Sequence, residues 1–265
     1  MNKLVNEPLE IRNSILIDSI FRPNQHLWNG YLGNESDFND WLSNVAFAEL
    51  DSYNLKAEKI NLQQLNSQFF ETASLMEEFT KHNSKGKWYI FFGPKWTNLG
   101  GFADGTMFID LAFESNKSLE DITIFLPHEI NHQIYSNTTD RNDNAVLHRI
   151  LDEGFACYVS HLFHNGETTI AEELGYSESE YIMSVENENE VMELLRTNYR
   201  SNDENLSRMF AARSYRFSEN FPAAIGYFIG YRIVEEFVKR NGKESWKRIY
   251  DISPEEVLKE SRILE

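Results

Sequence analysis

The chain has 265 residues, 41% of them apolar, with 19 Phe, 12 Tyr and 5 Trp, which is enough for a sizeable core and excludes disorder. Its formal charge of −17 argues against nucleic acid as a partner, because phosphate would be repelled. A single cysteine, Cys157, permits no internal disulfide, and no stretch has signal-peptide or membrane-spanning character, so a soluble, cytoplasmic protein without a membrane partner is expected.

The first third reads as helix. In "ESDFNDWLSNVAFAELDSYN", Phe38, Trp41, Leu42, Val45 and Leu50 recur close to helical spacing, and a second pattern runs from about Asn61 to His82 before "NSKGK" breaks it. "WYIFFG" (Trp88 to Gly93) is a short apolar run suited to a buried strand. Downstream, "NLGGFADGTMFIDLAF" carries Asp104-Gly105, a dipeptide that favours a type I′ hairpin turn, followed by alternation through Met107, Ile109, Leu111 and Phe113. Its Gly100-Gly101 pair would let a substrate backbone approach an exposed strand edge, or would simply make a turn or bulge.

From Ser118, a helix start with Asp121 three residues later, the rest is mostly helix. Helical stretches are expected at about Asn144 to His164, in an acidic segment, in "AAIGYFIGYRIVEEFVKRNG" with Gly242 as stop, and in "SPEEVLKESRIL" with Ser253 as N-cap. The acidic segment, Glu167 to Glu193, holds nine glutamates and no Lys, Arg or Asp, and reads as a solvated face rather than a docking surface. No repeat or flexible linker marks a boundary. Residues 1–265 therefore read as one domain, with a helical N-terminal part (1–84) and a catalytic core (85–265). The expected class is α+β, mainly helical, with a small, mostly antiparallel sheet packed on the helix that carries the next motif.

That motif is "HEINH", His128 to His132, which matches H-E-x-x-H. Residues four apart lie one turn above each other on a helix, so two imidazoles can bind one metal ion while Glu129 reaches the water to be activated. Pro127 either kinks a longer helix or marks where the ligand turn begins. On the next helix, "ILDEGFACYVSHLF" offers Glu153 as third ligand, 21 residues after His132. Two imidazoles and one carboxylate leave a position open, the arrangement of catalytic rather than structural zinc. Asp140, Asp143, His148 and Asp152 are alternative third ligands, with Asp152 the nearest rival. His161 and His164 read as surface or helix-end residues, and His26 and His82 carry no signal. Tyr135 and Thr138 stand where a metzincin needs Gly and His, which excludes that class.

HEINH followed by "DEGFA" resembles the gluzincin metallopeptidases, the thermolysin-like and aminopeptidase-like group. "LPHEINHQI", "LDEGFACYV" and "GYFIGYRIV", with the strand-and-hairpin region, further resemble a bacterial family known only as predicted zinc-dependent proteases. The resemblance covers roughly residues 85–265. It implies a thermolysin-like catalytic core, one Zn²⁺ ion on His128, His132 and Glu153, and hydrolysis of a peptide or protein substrate with Glu129 as general base and acid. It also favours Tyr227 as the donor that stabilises the oxyanion, with Tyr231 and Arg232 behind it. Gly226 and Gly230 form a small-residue face on the same helix. One position departs from the pattern: Cys157 stands where thermolysin-like enzymes often carry an acidic residue that supports a ligand histidine. A zinc hydrolase of a non-peptide amide or ester, and a non-catalytic binding protein of the same fold, are the rival functions.

Overall fold

Aromatic side chains organise the first of two units into which the chain divides, Met1–Glu71 with Gly86–Phe125; the second is Thr72–Lys85 with Leu126–Glu265. The structure is a computed structural model and describes residues 1–102, 104–136 and 145–265. Two of the alternative ligands, Asp140 and Asp143, lie outside the described residues, as does Thr138.

In the first unit, α1 (Leu9–Leu16), α2 (Gln25–Tyr31), α3 (Glu35–Trp41) and α4 (Leu50–Lys59) precede α5 (Leu62–Thr80), whose residues from Thr72 onward belong to the second unit. Asn34 starts α3 with a capping box closed by Asp37, which satisfies amides that a helix start leaves unpaired. Phe21, Trp28, Phe38 and Trp41 then pack ring on ring, with centroids 4.7 to 5.8 Å apart. Each such pair stabilises by about 0.5–1.5 kcal/mol beyond its buried area. The single helix expected through this stretch is interrupted. α3 passes into a π-helical turn, Leu42–Ala46, which shifts the helical phase so that Leu42 and Ala46 stay buried while Val45 is exposed.

Three strands follow: β1 (Trp88–Phe91), β2 (Leu99–Gly101) and β3 (Met107–Asp110), in the order β1-β3-β2. The sheet is mixed, not mostly antiparallel: β1 runs parallel to β3, and β2 antiparallel to it. The cause is Asp110, fully buried at the end of β3. Its carboxylate accepts from the amides of Gly93, Lys95 and Ala112 at 2.8, 2.8 and 2.9 Å and from the Tyr31 hydroxyl at 2.9 Å. These bonds hold the chain leaving β1 across the end of β3, so it returns on the other edge. β2 is therefore an edge strand. A Cβ on Gly100 would lie 2.9 Å from the Phe108 ring and one on Gly101 2.2 Å from the Met107 sulfur, so both glycines make room for cross-strand side chains. The type I′ turn is not formed either: Gly105 alone of the Asp104-Gly105 pair has positive φ, and its amide donates to the Phe102 carbonyl at 3.0 Å. Asp104 instead spends its carboxylate on the Thr106 amide, also at 3.0 Å, a local bond that competes with that turn. α6 (Leu119–Thr123), capped by Ser118, closes the unit.

The second unit is built on α8 (Ala145–Phe163), which is buried almost all round, as expected of a central helix. α7 (Leu126–Ser136), α12 (Glu204–Ala211), α13 (Gly226–Asn241) and α14 (Pro254–Ser261) surround it. α8 and α13 touch backbone to backbone at Gly154 and Gly230: a Cβ on Gly154 would lie 2.1 Å from the Gly230 carbonyl carbon. Tyr135, Phe155 and Tyr250 form the aromatic centre of this unit, with Phe155–Tyr250 centroids 4.9 Å apart. The acidic segment folds as α9 (Ile170–Glu173), α10 (Glu178–Glu186) and α11 (Glu188–Asn198), the first two started by capping boxes at Thr169 and Ser177. Among the described residues, no helix is long and apolar enough to cross a membrane.

Candidate metal centre

α7 begins where Pro127 predicts a boundary. α6 ends at Thr123, a separate turn intervenes, and Pro127 occupies the first turn of α7, where its missing amide costs no helical bond. The proline therefore sets the start of the ligand turn and produces no kink. Ile130, Ile134 and Tyr135 are fully buried on the core side of the helix, which leaves His128, Glu129 and His132 half-buried on the other.

His128 Nε2 and His132 Nε2 lie 3.0 Å apart, and Glu153 Oε2 lies 3.7 Å from the first and 3.3 Å from the second. Among the described residues, these three side chains form the one His, Cys, Asp or Glu cluster able to hold a metal ion, their donor atoms all within 4.8 Å. The separations bracket the roughly 3.3 Å expected between atoms set tetrahedrally about 2.0–2.1 Å from one zinc ion. Two nitrogens and one carboxylate oxygen, with no thiolate, are also the donor types of catalytic zinc. The residues present fit the ion.

Each histidine is held from behind through Nδ1, which aims Nε2 into the cluster. His132 Nδ1 donates to Asp152 Oδ1 at 2.8 Å, so Asp152, the rival ligand, braces a candidate ligand histidine instead. His128 Nδ1 faces Cys157 Sγ at 3.7 Å, while the thiol donates to the Glu173 carbonyl at 3.1 Å. Cys157 thus occupies the supporting position with a relay of weak bonds, and burial pushes its thiol well above the usual range, so the relay proton stays on sulfur. Glu153 Oε1 is met by Arg149 Nη1 at 3.4 Å.

Charge and burial compete across the cluster. Burial alone would favour neutral His132, but Asp152 and Glu153 hold it well above its ordinary value. Burial would likewise raise Glu153, yet His132, the hydrogen bonds from both histidines and Arg149 hold it well below the carboxylate range. A metal ion binding here must displace the proton from His132, so uptake releases protons. Glu129 shifts the opposite way: burial raises it, the two histidines counter this, and Glu153 and Asp152 add to the rise. The raised value makes it a stronger base than a free carboxylate.

Of the remaining sequence candidates, Tyr227 sits at the site and Tyr231 does not. The Tyr227 ring stacks parallel to His128 at 6.2 Å between centroids. Burial first, then the Glu153 carboxylate, pushes its phenol well above the usual range, so it stays a protonated donor. Tyr231 is buried against Tyr158 and His161, and Arg232 is committed to Glu188 and Glu235. His148 is buried with its ring stacked on Tyr135. His164 pairs with Glu173 at 2.6 Å, His26 with Asp104 at 2.8 Å, and His82 packs on Tyr250. Sequence reasoning missed the orienting role of Asp152, the Glu173 carbonyl and Arg149. Only Arg149 carried a signal, its spacing four residues before Glu153 on one helix.

A family model described as "Predicted Zn-dependent protease (DUF2268)" matches residues 90–259. No curated protein and no solved structure matches the chain. A match over well more than half the sequence that includes both helices of the His128-His132-Glu153 cluster decides the assignment: the chain belongs to this family of predicted zinc-dependent proteases.

Proposed function

We propose that the protein hydrolyses peptide bonds at one zinc ion held by His128, His132 and Glu153. The observation that carries this reading is the convergence of those three donors from two helices, with Glu129 next to His128 on the first. A bound zinc ion supplies a Lewis acid for the scissile carbonyl and lowers the pKa of water. Glu129 takes the proton from the attacking water as the C–O bond forms, then delivers it to the amine as the C–N bond breaks. Tyr227, kept protonated, donates a hydrogen bond to the developing oxyanion. Asp152 and Cys157 hold the two imidazoles in register during these steps.

Glu129→Gln tests the mechanism. The variant is expected to retain zinc, measured by metal analysis, and to lose about 10²–10⁴-fold in peptide hydrolysis. Full activity would refute Glu129 as the base. Cleavage of esters or non-peptide amides with peptides left intact would move the reading to another zinc hydrolase. A protein that takes up no zinc would favour a non-catalytic binding role.

A further inference from the structure

Three arginines pair with glutamates of the acidic segment: Arg196 with Glu193, Arg216 with Glu180 and Arg232 with Glu188. Arg213 differs. Among the described residues no carboxylate lies within ion-pair distance of it, although glutamates are dense nearby, and its one hydrogen bond runs from Nη1 to the Gly175 carbonyl at 3.3 Å. The guanidinium is nevertheless held in place. It lies 4.2 Å from the centre of the Tyr227 ring and 5.7 Å from that of Tyr176, whose hydroxyl is fixed to the Ala224 carbonyl at 2.8 Å. Gly175, at φ +64°, has no side chain to obstruct it; a Cβ there would meet Arg213 Nη2 at 2.9 Å.

Arg213 and Arg216 line a cavity of about 400 Å³ with Gly175, Tyr176 and Glu180. Glu180 offsets the charge of Arg216, with which it pairs, so the lining of two arginines and one glutamate leaves the charge of Arg213 in excess. The cavity thus keeps an excess of positive charge in a chain of net charge −17. Arg213 links the cavity to the candidate metal centre, since it lies over the Tyr227 ring and that ring stacks on His128. A planar, pre-positioned guanidinium matches a carboxylate, which it can grip through two parallel hydrogen bonds.

We propose that this cavity is a substrate subsite that takes a carboxylate close to the scissile bond, so that the enzyme prefers acidic peptides. The proposal rests on the peptidase reading above. A peptide carboxylate has two sources, an Asp or Glu side chain or the chain's own C-terminus, and Arg213 would recognise either.

The test uses zinc-loaded full-length protein and peptides that differ at one carboxylate: Glu against Gln beside the cleaved bond, and free acid against amide at the C-terminus. Wild type is expected to favour one carboxylate form by about tenfold in kcat/KM, mainly through KM. The pair that shows the preference names the source. Arg213→Gln should bring the ratio near one, and Arg213→Lys should restore it in part. Calorimetric binding of the same peptides to Glu129→Gln protein gives a readout independent of turnover and should show the same preference, lost in the Arg213→Gln, Glu129→Gln double variant. Cleavage or binding with no carboxylate preference, or a preference that survives Arg213→Gln, overturns the subsite while leaving the peptidase reading intact. If nothing is cleaved but carboxylate peptides still bind through Arg213, the peptidase reading fails and the cavity stands as a carboxylate-binding site without a substrate role.

Discussion

The two candidate ligand histidines on one helix are supported by chemically different groups. A carboxylate behind His132 enforces the tautomer and adds electron density, whereas a thiol behind His128 does so weakly. The Glu173 carbonyl explains why sulfur is tolerated there. An oxygen acceptor 3.1 Å away would repel a carboxylate at position 157, but it receives the S–H, leaving the sulfur lone pairs for His128. Most orienting force therefore comes from Asp152. Asp152→Asn is expected to weaken zinc binding about 10–100-fold in chelator competition. Unchanged affinity would mean that His132 is held by packing alone. The clustering of His128, His132 and Glu153 was legible in sequence, because helical spacing puts both histidines on one face of α7 and Glu153 stood out on the next helix. The part played by Asp152 was not, because adjacent carboxylates are both chemically able to ligate, and only the phase of α8 decides which meets the Nε2 atoms of His128 and His132. Cys157 was noticed but not explained, since its partner is a main-chain carbonyl on α9.

At the scale of elements, α9 matters beyond its length because it supplies that carbonyl and pins itself to α8 through Glu173 and His164. Burial alone would raise Glu173, but hydrogen bonds from His164, Thr168 and Ser160 hold its carboxyl below the usual range. A depressed carboxylate contributes stability that is complete above its unfolded value, about 4.3, and is lost as pH falls through the folded value. Glu173→Gln should thus melt below wild type at pH 7, with the gap closing below about pH 4. A gap that persists in acid would assign the loss to packing. Helices with strong caps or full apolar faces, such as α10 and α8, could be read from sequence. The order of the strands could not. It hangs on the four bonds to buried Asp110, a long-range arrangement that local propensity does not encode. The π-helical turn after α3 was missed for a similar reason, since helical spacing continues on either side of it.

For the molecule as a whole, the candidate ligands join α7 to α8 inside the second unit. Removing zinc with a chelator should lower the melting temperature, and zinc at about 100 times its dissociation constant should return about 2.7 kcal/mol. Hydrogen exchange is expected to rise chiefly in α7 and α8. Equal melting with and without zinc would refute a built metal centre. Composition had already announced the acidic surface, but not its internal pairing, because ion pairs such as Glu188–Arg232 join residues far apart in the chain.

The backbone contact between Gly154 and Gly230 has a consequence for how this centre could diverge. Glu153 directly precedes one glycine, and Tyr227 lies almost one turn before the other. Two absent methyl groups therefore act as a gauge block between the proposed third ligand and the proposed oxyanion donor. On the proposed mechanism, a substitution at either glycine would alter the reach of Glu153 and Tyr227 without touching them, so changes in rate could arise at positions that bear no chemistry.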